Sequence, residues 1–121
     1  MSKFPELFKS IDWHDLPLKE ISINSEEKSL RFLIAPYNEE LDDYDYFNLR
    51  FLKIQSINTS EGNLNDLLSF DLNYLLEFNY CEYTLDKDGT YHFEFLILLG
   101  SRKPVIKFEI SASKVTLKPA V

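Results

Sequence analysis

Cysteine is nearly absent from this sequence, since Cys81 is the only one among 121 residues. A lone cysteine forms no intrachain disulfide, and it lacks the paired spacing of zinc and thioredoxin-type motifs. Cys81 lies in an aromatic strand pattern, where we expect it to behave as a small hydrophobic residue. Glycine is also scarce, and Gly62, Gly89 and Gly100 all lie in predicted turns. Glycine-rich phosphate loops and the glycine-flanked serine of the α/β-hydrolases are therefore missing.

Alanine is rare as well, being confined to Ala35, Ala112 and Ala120, whereas aromatic residues make up 15% of the chain. Alanine is the strongest helix former, and Phe and Tyr favour strands. Hydrophobic residues at 45% and charged residues at 27% are typical of a folded globular protein. A length of 121 residues suits one domain better than two. The composition therefore predicts a single β domain over residues 1–121.

Basic residues are the minority charge, with 13 Lys and Arg against 20 Asp and Glu and a net charge of −7. Because no basic cluster stands out in the sequence, we do not expect binding to nucleic acid. The sequence also lacks an apolar run long enough to span a membrane, and its first residues lack the apolar core of a signal peptide. We therefore expect a cytoplasmic protein with no membrane partner.

Alternating apolar and polar residues predict strands over most of the chain, as in Leu30, Phe32 and Ile34. Residues 4–11 instead have apolar residues at helical spacing, which predicts a short N-terminal helix. The alternation changes parity near Leu52, which indicates a bulge or bend. A further turn is predicted at residues 100–104. The expected fold is all-β and mainly antiparallel, a sandwich or a strongly curved sheet of six or seven strands.

The clearest element is a hairpin whose turn is Asp86-Lys87-Asp88-Gly89. This turn sequence is typical of a type I turn closed by a left-handed glycine. The register that follows from the turn gives three pairs: Asp86 with Thr90, Thr84 with His92, and Glu82 with Glu94. Further from the turn, the same alternation assigns four apolar residues to the face that carries His92: Phe78, Tyr80, Leu96 and Leu98.

Trp13, His14 and Asp15 stand side by side where the first strand begins. A histidine held by a carboxylate can act as a general base. Adjacent strand residues point to opposite faces, however, so a catalytic pair would need a partner from elsewhere in the fold. The alternative is structural, in which Trp13 closes one end of the core while His14 and Asp15 bond to backbone. The sequence favours the structural alternative.

The predicted hairpin register also brings His92 close to Glu82 and Glu94. Carboxylates directly opposite one another repel, and solvent, a lysine or a cation could relieve that repulsion. One histidine and two carboxylates match a facial metal site. A solvated polar patch near a hairpin turn is the commoner arrangement, and we predict no metal and no cofactor.

The segment from Tyr37 to Tyr46 interleaves acids with tyrosines. Its charge would steer a basic partner, and its tyrosines would supply contact area. The alternatives are a solvated acidic loop and a calcium loop, although the acids lack the alternate spacing and the glycine of an EF-hand. The predicted partner-binding residues are Glu39, Glu40, Asp42, Asp43, Tyr44, Asp45 and Tyr46.

Trp13-His14-Asp15, followed by the strand pattern of residues 18–23, resembles the opening of a loosely defined group of small bacterial proteins of unknown function. The closing strands of that group have counterparts in Phe93-Glu94-Phe95 and in residues 106–110. The resemblance covers most of the chain in pattern and is specific only at Trp-His-Asp. It implies a small β fold, and some similar proteins are regarded as immunity partners of toxins. No catalytic residue can be carried over from the group.

These features favour a non-enzymatic protein-binding module, an immunity protein that masks a basic surface on a partner such as a toxin. No catalytic residue is predicted for this function. The alternative is a small enzyme or ligand-binding protein that uses either His14 or the cluster of His92, Glu82 and Glu94. An enzyme needs a concave pocket that reaches one of these histidines, whereas a binding module needs an exposed acidic, tyrosine-rich surface.

Overall fold

The computed structural model describes residues 4–60, 76–99 and 105–120. The turn predicted at residues 100–104 lies outside the described residues. One short helix precedes a series of antiparallel strands. In chain order the elements are α1 (Phe4–Ser10), β1 (Leu16–Asn24), β2 (Ser29–Ile34), β3 (Tyr37–Asn38), β4 (Asp43–Tyr44), β5 (Phe47–Ser60), β6 (Leu76–Leu85), β7 (Tyr91–Leu99) and β8 (Val105–Pro119).

Six of the strands form one closed barrel in the order β1-β2-β5-β8-β7-β6, and β3 and β4 form a separate two-stranded sheet. Every pair of neighbouring strands is antiparallel. The barrel closes where β1 pairs with β6, through Leu16 with Phe78, Pro17 with Glu77 and Leu18 with Leu76. The predicted all-β antiparallel fold with a short N-terminal helix is confirmed, and the predicted curvature is strong enough to close the sheet.

Phenylalanine fills the interior of the barrel. Five phenylalanines have no more than a trace of exposed surface: Phe32, Phe51, Phe78, Phe95 and Phe108. The ring of Phe95 stacks on Phe108 at 4.9 Å and meets Phe32 edge-on at 5.4 Å. Aromatic rings at these distances pack closely and stabilise one another beyond their burial. The candidate sites described below therefore lie on the outer surface of the barrel.

The N-terminal helix covers one end of this core. Phe4 and Phe8 are buried and pack on Tyr83, with ring centroids 5.4 Å and 4.9 Å away. Trp13 then donates its indole N–H to the carbonyl oxygen of Phe8 at 3.1 Å, and its ring lies 5.2 Å from Phe78. The prediction that Trp13 closes one end of the core is confirmed.

A bend in β5 changes which residues face the core. Phe51 is buried, Lys53 is exposed with a φ of 52°, and Ile54 packs against the core again. A regular strand would have sent Lys53 inward, so the positive φ turns the lysine out to solvent. The bend predicted near Leu52 is confirmed.

A bulge in β6 overturns one predicted orientation. Phe78 pairs with Ile97 whereas Tyr80 pairs with Leu96, so Asn79 is an extra residue in the ladder. The sequence alternation assigned Phe78 and Tyr80 to the same outer face. That assignment is wrong for Phe78, because the bulge reverses its direction and the ring is fully buried.

Candidate functional site

Residues 36–46 leave the barrel between β2 and β5 as a small hairpin, which we call the acidic hairpin. Its two arms are β3 and β4, in which Tyr37 pairs with Tyr44 and Asn38 with Asp43. At the base of the hairpin, the backbone N–H of Asp45 donates to the carbonyl oxygen of Pro36 at 2.9 Å. The sequence also left open a solvated acidic loop in this segment. The structure forms a short antiparallel hairpin with two residue pairs, and its acids other than Asp45 are exposed.

Side chains hold the tip of the acidic hairpin. The amide oxygen of Asn38 accepts the backbone N–H groups of Glu40 at 3.0 Å and Leu41 at 3.3 Å. Asp42 has a φ of 51°, and its carboxylate accepts the hydroxyl hydrogen of Tyr37. This hydrogen bond is the main reason that the pKa of Tyr37 is raised, since it stabilises the protonated phenol. The tip therefore has a defined shape although it is exposed.

Six of the predicted binding residues are exposed: Glu39, Glu40, Asp42, Asp43, Tyr44 and Tyr46. Asp45 is half-buried, and its carboxylate accepts the amide N–H of Asn38 at 2.9 Å. Tyr37 and Leu41 are 51% and 66% exposed and were missed as contact residues. Tyr37 could have been found from its pairing with Tyr44, which the hairpin brings 5.4 Å from it, ring to ring.

The acidic hairpin faces the corner between α1 and β1 across a cleft of about 910 Å³, which we call the acidic cleft. Asp12, His14 and Asp15 line it from the corner. Glu39, Glu40 and Asp45 line it from the hairpin. The structure thus brings together two features that are separate in the sequence, the Trp-His-Asp stretch and the acidic segment.

His14 is one of the residues that line this cleft. Its Nδ1 atom is 3.1 Å from a carboxylate oxygen of Asp15, and the two side chains are 68% and 63% exposed. The expectation that these neighbours point to opposite faces is wrong, because residues 14–15 form a turn in which Asp15 has a φ of 60°. The structural alternative predicted bonds from His14 to backbone, whereas the imidazole contacts a carboxylate.

A second group of polar side chains lies on the outer face of β6, β7, β8 and β5. Residues directly opposite in neighbouring strands line up across a sheet, and here the register assembles two rows. The first row is Thr84, His92, Ser111 and Ser56, and the second is Glu82, Glu94, Glu109 and Asn58. We call these eight residues the four-strand strip. They line a pocket of about 460 Å³.

Glu94 occupies the centre of the second row, between Glu82 and Glu109. The hydroxyl of Tyr80 donates to Glu94 at 2.7 Å, and the Lys107 ammonium lies 3.7 Å from its other oxygen. Burial, and then this hydrogen bond, raise the pKa of Tyr80 to about 12. Lys107 therefore helps to relieve the repulsion between Glu94 and its neighbouring glutamates. A lysine was one of the three means of relief considered from the sequence.

His92 is bound through both of its ring nitrogens. Ser111 Oγ lies 2.8 Å from Nδ1, and a carboxylate oxygen of Asp86 lies 2.7 Å from Nε2. A carboxylate only accepts, so in the neutral ring Nε2 carries the hydrogen and Nδ1 accepts the hydroxyl hydrogen of Ser111. Sequence reasoning grouped His92 with Glu82 and Glu94 and missed both of these partners. In the described part of the chain, no group of three or more His, Cys, Asp or Glu side chains is placed to hold a metal ion.

Cys81 lies beneath the four-strand strip, and its side chain is buried. Burial raises the pKa of its thiol well above the ordinary value, because a thiolate is poorly solvated there. The thiolate is the reactive form of cysteine, so Cys81 is an unreactive core residue. The expectation that it behaves as a small hydrophobic residue is confirmed.

Comparison of the chain with protein-family models, with curated proteins and with solved structures finds no match. Within the described ranges, no helix has the length and apolar character needed to cross a membrane. The acidic cleft and the four-strand strip are the two candidate sites of the described chain.

Proposed function

We propose that the protein is a binding module of the immunity type, which uses the acidic cleft to mask a basic surface on a protein partner such as a toxin. The observation that carries this proposal is that the corner before β1 and the acidic hairpin contribute carboxylates to one cleft. Recognition of this kind requires no chemistry at the cleft. The resemblance of Trp13-His14-Asp15 to small bacterial proteins, some regarded as immunity partners, supports the same role.

The negative charges that line the acidic cleft favour a partner with a basic surface. Among the described residues that line the cleft, five are carboxylates and none is lysine or arginine. Carboxylates gathered on one concave surface reinforce one another's field and attract positive groups from a distance. Such steering raises the association rate more than it slows dissociation. The surface of the partner that binds the acidic cleft is therefore proposed to be rich in lysine and arginine.

Exposed apolar side chains supply the contact area. Four of the six large hydrophobic residues that are exposed in the described chain lie on the acidic hairpin: Tyr37, Leu41, Tyr44 and Tyr46. Tyrosine is enriched among the residues that dominate binding energy at protein interfaces. A cluster of such side chains beside acids matches an interface with an apolar centre and a charged rim.

The proposed setting is the bacterial cytoplasm, with which a lone unpaired cysteine is compatible.

The test is to capture the partner with the wild-type protein and then to measure binding kinetics at several salt concentrations. One variant neutralises the hairpin acids by Glu39→Gln, Glu40→Gln, Asp42→Asn, Asp43→Asn and Asp45→Asn. A control variant makes the same change in net charge elsewhere, by Glu6→Gln, Glu26→Gln, Glu27→Gln, Glu77→Gln and Glu109→Gln. We expect the hairpin variant to associate at least about tenfold more slowly at low salt, with dissociation little changed.

Salt should slow association of the wild type towards the rate of the hairpin variant, because exposed charges are screened over about 8 Å at physiological ionic strength. Tyr44→Ala should instead speed dissociation, about tenfold or more if the ring is an interface anchor. Association that ignores both salt and the five hairpin neutralisations would remove the acidic hairpin from the interface. An equal loss in the control variant would reduce the effect to net charge alone.

A further inference from the structure

We propose that Ser111 and His92 of the four-strand strip, together with Asp86 in the turn between β6 and β7, form a reactive-serine site, which transfers acyl groups from esters to Ser111 and then to water. This site is separate from the acidic cleft, and the proposal does not depend on the proposed function. Its basis is the chain of two short hydrogen bonds through His92, of 2.8 Å to Ser111 and 2.7 Å to Asp86.

The three side chains have the roles that nucleophilic catalysis by serine requires. Serine is a weak nucleophile unless a base within hydrogen-bonding distance takes its proton, and the base must in turn be oriented by a third group. His92 Nδ1 is the base for Ser111, and Asp86 holds the ring through Nε2. The ring is used in the reverse sense to that of the common serine hydrolases, where Nε2 faces the serine. Either nitrogen can accept a proton, so the reversal preserves the chemistry.

The site is also accessible. His92 and Asp86 have side chains that are 40% and 54% exposed, and His92 and Ser111 line the pocket of about 460 Å³. Ser111 lies in β8, directly opposite His92 in β7, so the ladder between these strands sets their spacing. Side chains on paired strands hold their geometry better than side chains on loops. A small ester can therefore reach the serine without a change in the barrel.

The reaction proceeds in two balanced halves. Ser111 Oγ bonds to the ester carbonyl carbon while its proton passes to His92 Nδ1, and the Asp86 carboxylate stabilises the imidazolium. The bond from the carbonyl carbon to the alcohol oxygen then breaks, and the alcohol leaves with the proton from His92. Water next adds to the acyl-serine, giving its proton to His92, and the proton returns to Ser111 Oγ as the carboxylic acid is released.

The developing negative charge on the carbonyl oxygen needs hydrogen-bond donors. Backbone N–H groups in the middle of a ladder are already paired, so the donors must be side chains. Ser56 lies opposite Ser111 in the ladder between β5 and β8, and Asn58 lies opposite Glu109. Both line the same pocket and offer a hydroxyl and an amide N–H. Because these donors are exposed side chains rather than fixed backbone groups, we expect a slow enzyme.

The second row of the strip restricts the substrate. Glu82, Glu94 and Glu109 line the same pocket, and only Glu94 has a lysine beside it among the described residues. These carboxylates repel an anionic ester and attract one that carries a positive group. The proposed substrate class is therefore small neutral or cationic esters.

The experiment uses the full chain, with 4-nitrophenyl acetate as substrate and a fluorophosphonate as a covalent serine probe. Ser111→Ala is compared with Ser113→Ala, which removes an exposed hydroxyl two residues along the same strand. General-base catalysis contributes about 100-fold or more, so the wild type and Ser113→Ala should exceed Ser111→Ala by about that factor. The probe should label one site per chain, on the peptide that contains Ser111.

Asp86→Asn tests the positioning residue. The substitution removes the acceptor for the Nε2 hydrogen and disfavours the ring form that can accept from Ser111. Hydrolysis should fall, and its dependence on pH in acid solution should change, whereas a purely structural role would alter only the melting temperature. The charged groups around His92 are Asp86 in the hairpin turn, Glu82 on β6, Glu94 on β7 and Glu109 on β8, while β5 contributes the uncharged Ser56 and Asn58.

The proposal also predicts a preference by charge. A choline-type ester should be hydrolysed faster than an ester of the same acyl group that carries a carboxylate. Equal rates for these two would overturn the assigned substrate class. Equal hydrolysis by the wild type and Ser111→Ala, together with no labelling of Ser111, would overturn the site and leave the hydrogen bonds of His92 as a structural network.

Discussion

The acidic hairpin and the four-strand strip are both polar surfaces on one small barrel, and they are built in opposite ways. The hairpin is contiguous in sequence, and hydrogen bonds within residues 36–46 give it its shape. The strip takes its eight residues from four strands, and the ladders between those strands give it its shape. The shape of the first therefore depends on contacts within one segment, whereas the shape of the second depends on the pairing of four strands.

This difference matches the two roles proposed. A recognition surface tolerates mobility, because long-range charge acts before contact and side chains can adjust on binding. Nucleophilic catalysis does not tolerate it, since a shift of about 1 Å can cost about 100-fold in rate. His92 and Ser111 lie on paired strands, which hold their spacing, and Asp86 reaches His92 from the turn between β6 and β7. The acidic hairpin has the exposed acids and tyrosines that recognition of a basic partner requires.

The largest expected effect is at Trp13, which packs in the core behind the corner that lines the acidic cleft. Trp13→Ala should lower the free energy of unfolding by about 3–5 kcal/mol, because it opens a cavity beside Phe8 and Phe78 and removes the bond to the Phe8 carbonyl. Urea unfolding followed by circular dichroism measures this change. Trp13→Phe is the matched control and should lose less, since a ring remains. A loss below about 1 kcal/mol for Trp13→Ala would show that the corner is held by other contacts.

An intermediate effect on stability is expected at the four-strand strip, where Tyr80 is bonded to Glu94. Tyr80→Phe removes the donor to Glu94 and should cost about 1 kcal/mol near neutral pH. The folded state keeps the Tyr80 proton up to about pH 12, while an unfolded tyrosine loses it near pH 10. The stability contributed by the raised pKa is therefore complete below pH 10 and is lost as pH rises from 10 to 12.

The stability advantage of the wild type over Tyr80→Phe should consequently shrink across that interval. Urea unfolding of both proteins at pH 8 and pH 11 tests this. An advantage that stays constant between the two pH values would mean that the Tyr80 phenol ionises equally readily in both states.

The smallest expected effect concerns the exposed pair in the acidic cleft. His14→Ala should change stability by about 0.5 kcal/mol or less, because exposed ion pairs are weak and the imidazole contacts solvent. A thermal melt of the variant beside the wild type measures it. A loss above about 1 kcal/mol would mean that His14 stabilises the turn before β1.

The turn between β6 and β7 could be predicted from the sequence, because the conformation of a short turn depends on its own few residues. Gly89 has a φ of 90°, and the N–H of Asp86 donates to the carbonyl oxygen of Thr90 at 2.9 Å, so the predicted turn and its pairs are confirmed. That register placed Thr84 opposite His92 and Glu82 opposite Glu94. Half of the four-strand strip therefore follows from the sequence of one turn.

The other half could not be predicted, for identifiable reasons. Ser111 faces His92 through the register of β7 and β8, and the sequence of the turn predicted at residues 100–104 does not specify a turn type that would set that register. Phe78 changes sides at a bulge that alternation does not reveal. Asp15 lies in a turn where an extended strand was expected, and strand geometry forbids the contact with His14 that the turn allows. The acidic cleft joins segments that are separate in the chain: the β1–β2 ladder, with the Ala35 N–H donating to the carbonyl oxygen of Pro17 at 3.1 Å, brings the corner before β1 next to the acidic hairpin.

Among the residues that the structure describes, the seam between β1 and β6 is the shortest ladder of the barrel, with three pairs that join residues 16–18 to residues 76–78. Closing so long a stretch of chain costs entropy that three backbone pairs offset poorly. The side chains along the seam are buried, however: Leu16, Leu18, Leu76 and Phe78, with the Trp13 ring against Phe78. Burial of these apolar side chains therefore contributes more to closing the barrel than the described backbone hydrogen bonds of the seam do. Trp13, the tryptophan of the Trp-His-Asp stretch, takes part in this closure through its contact with Phe78.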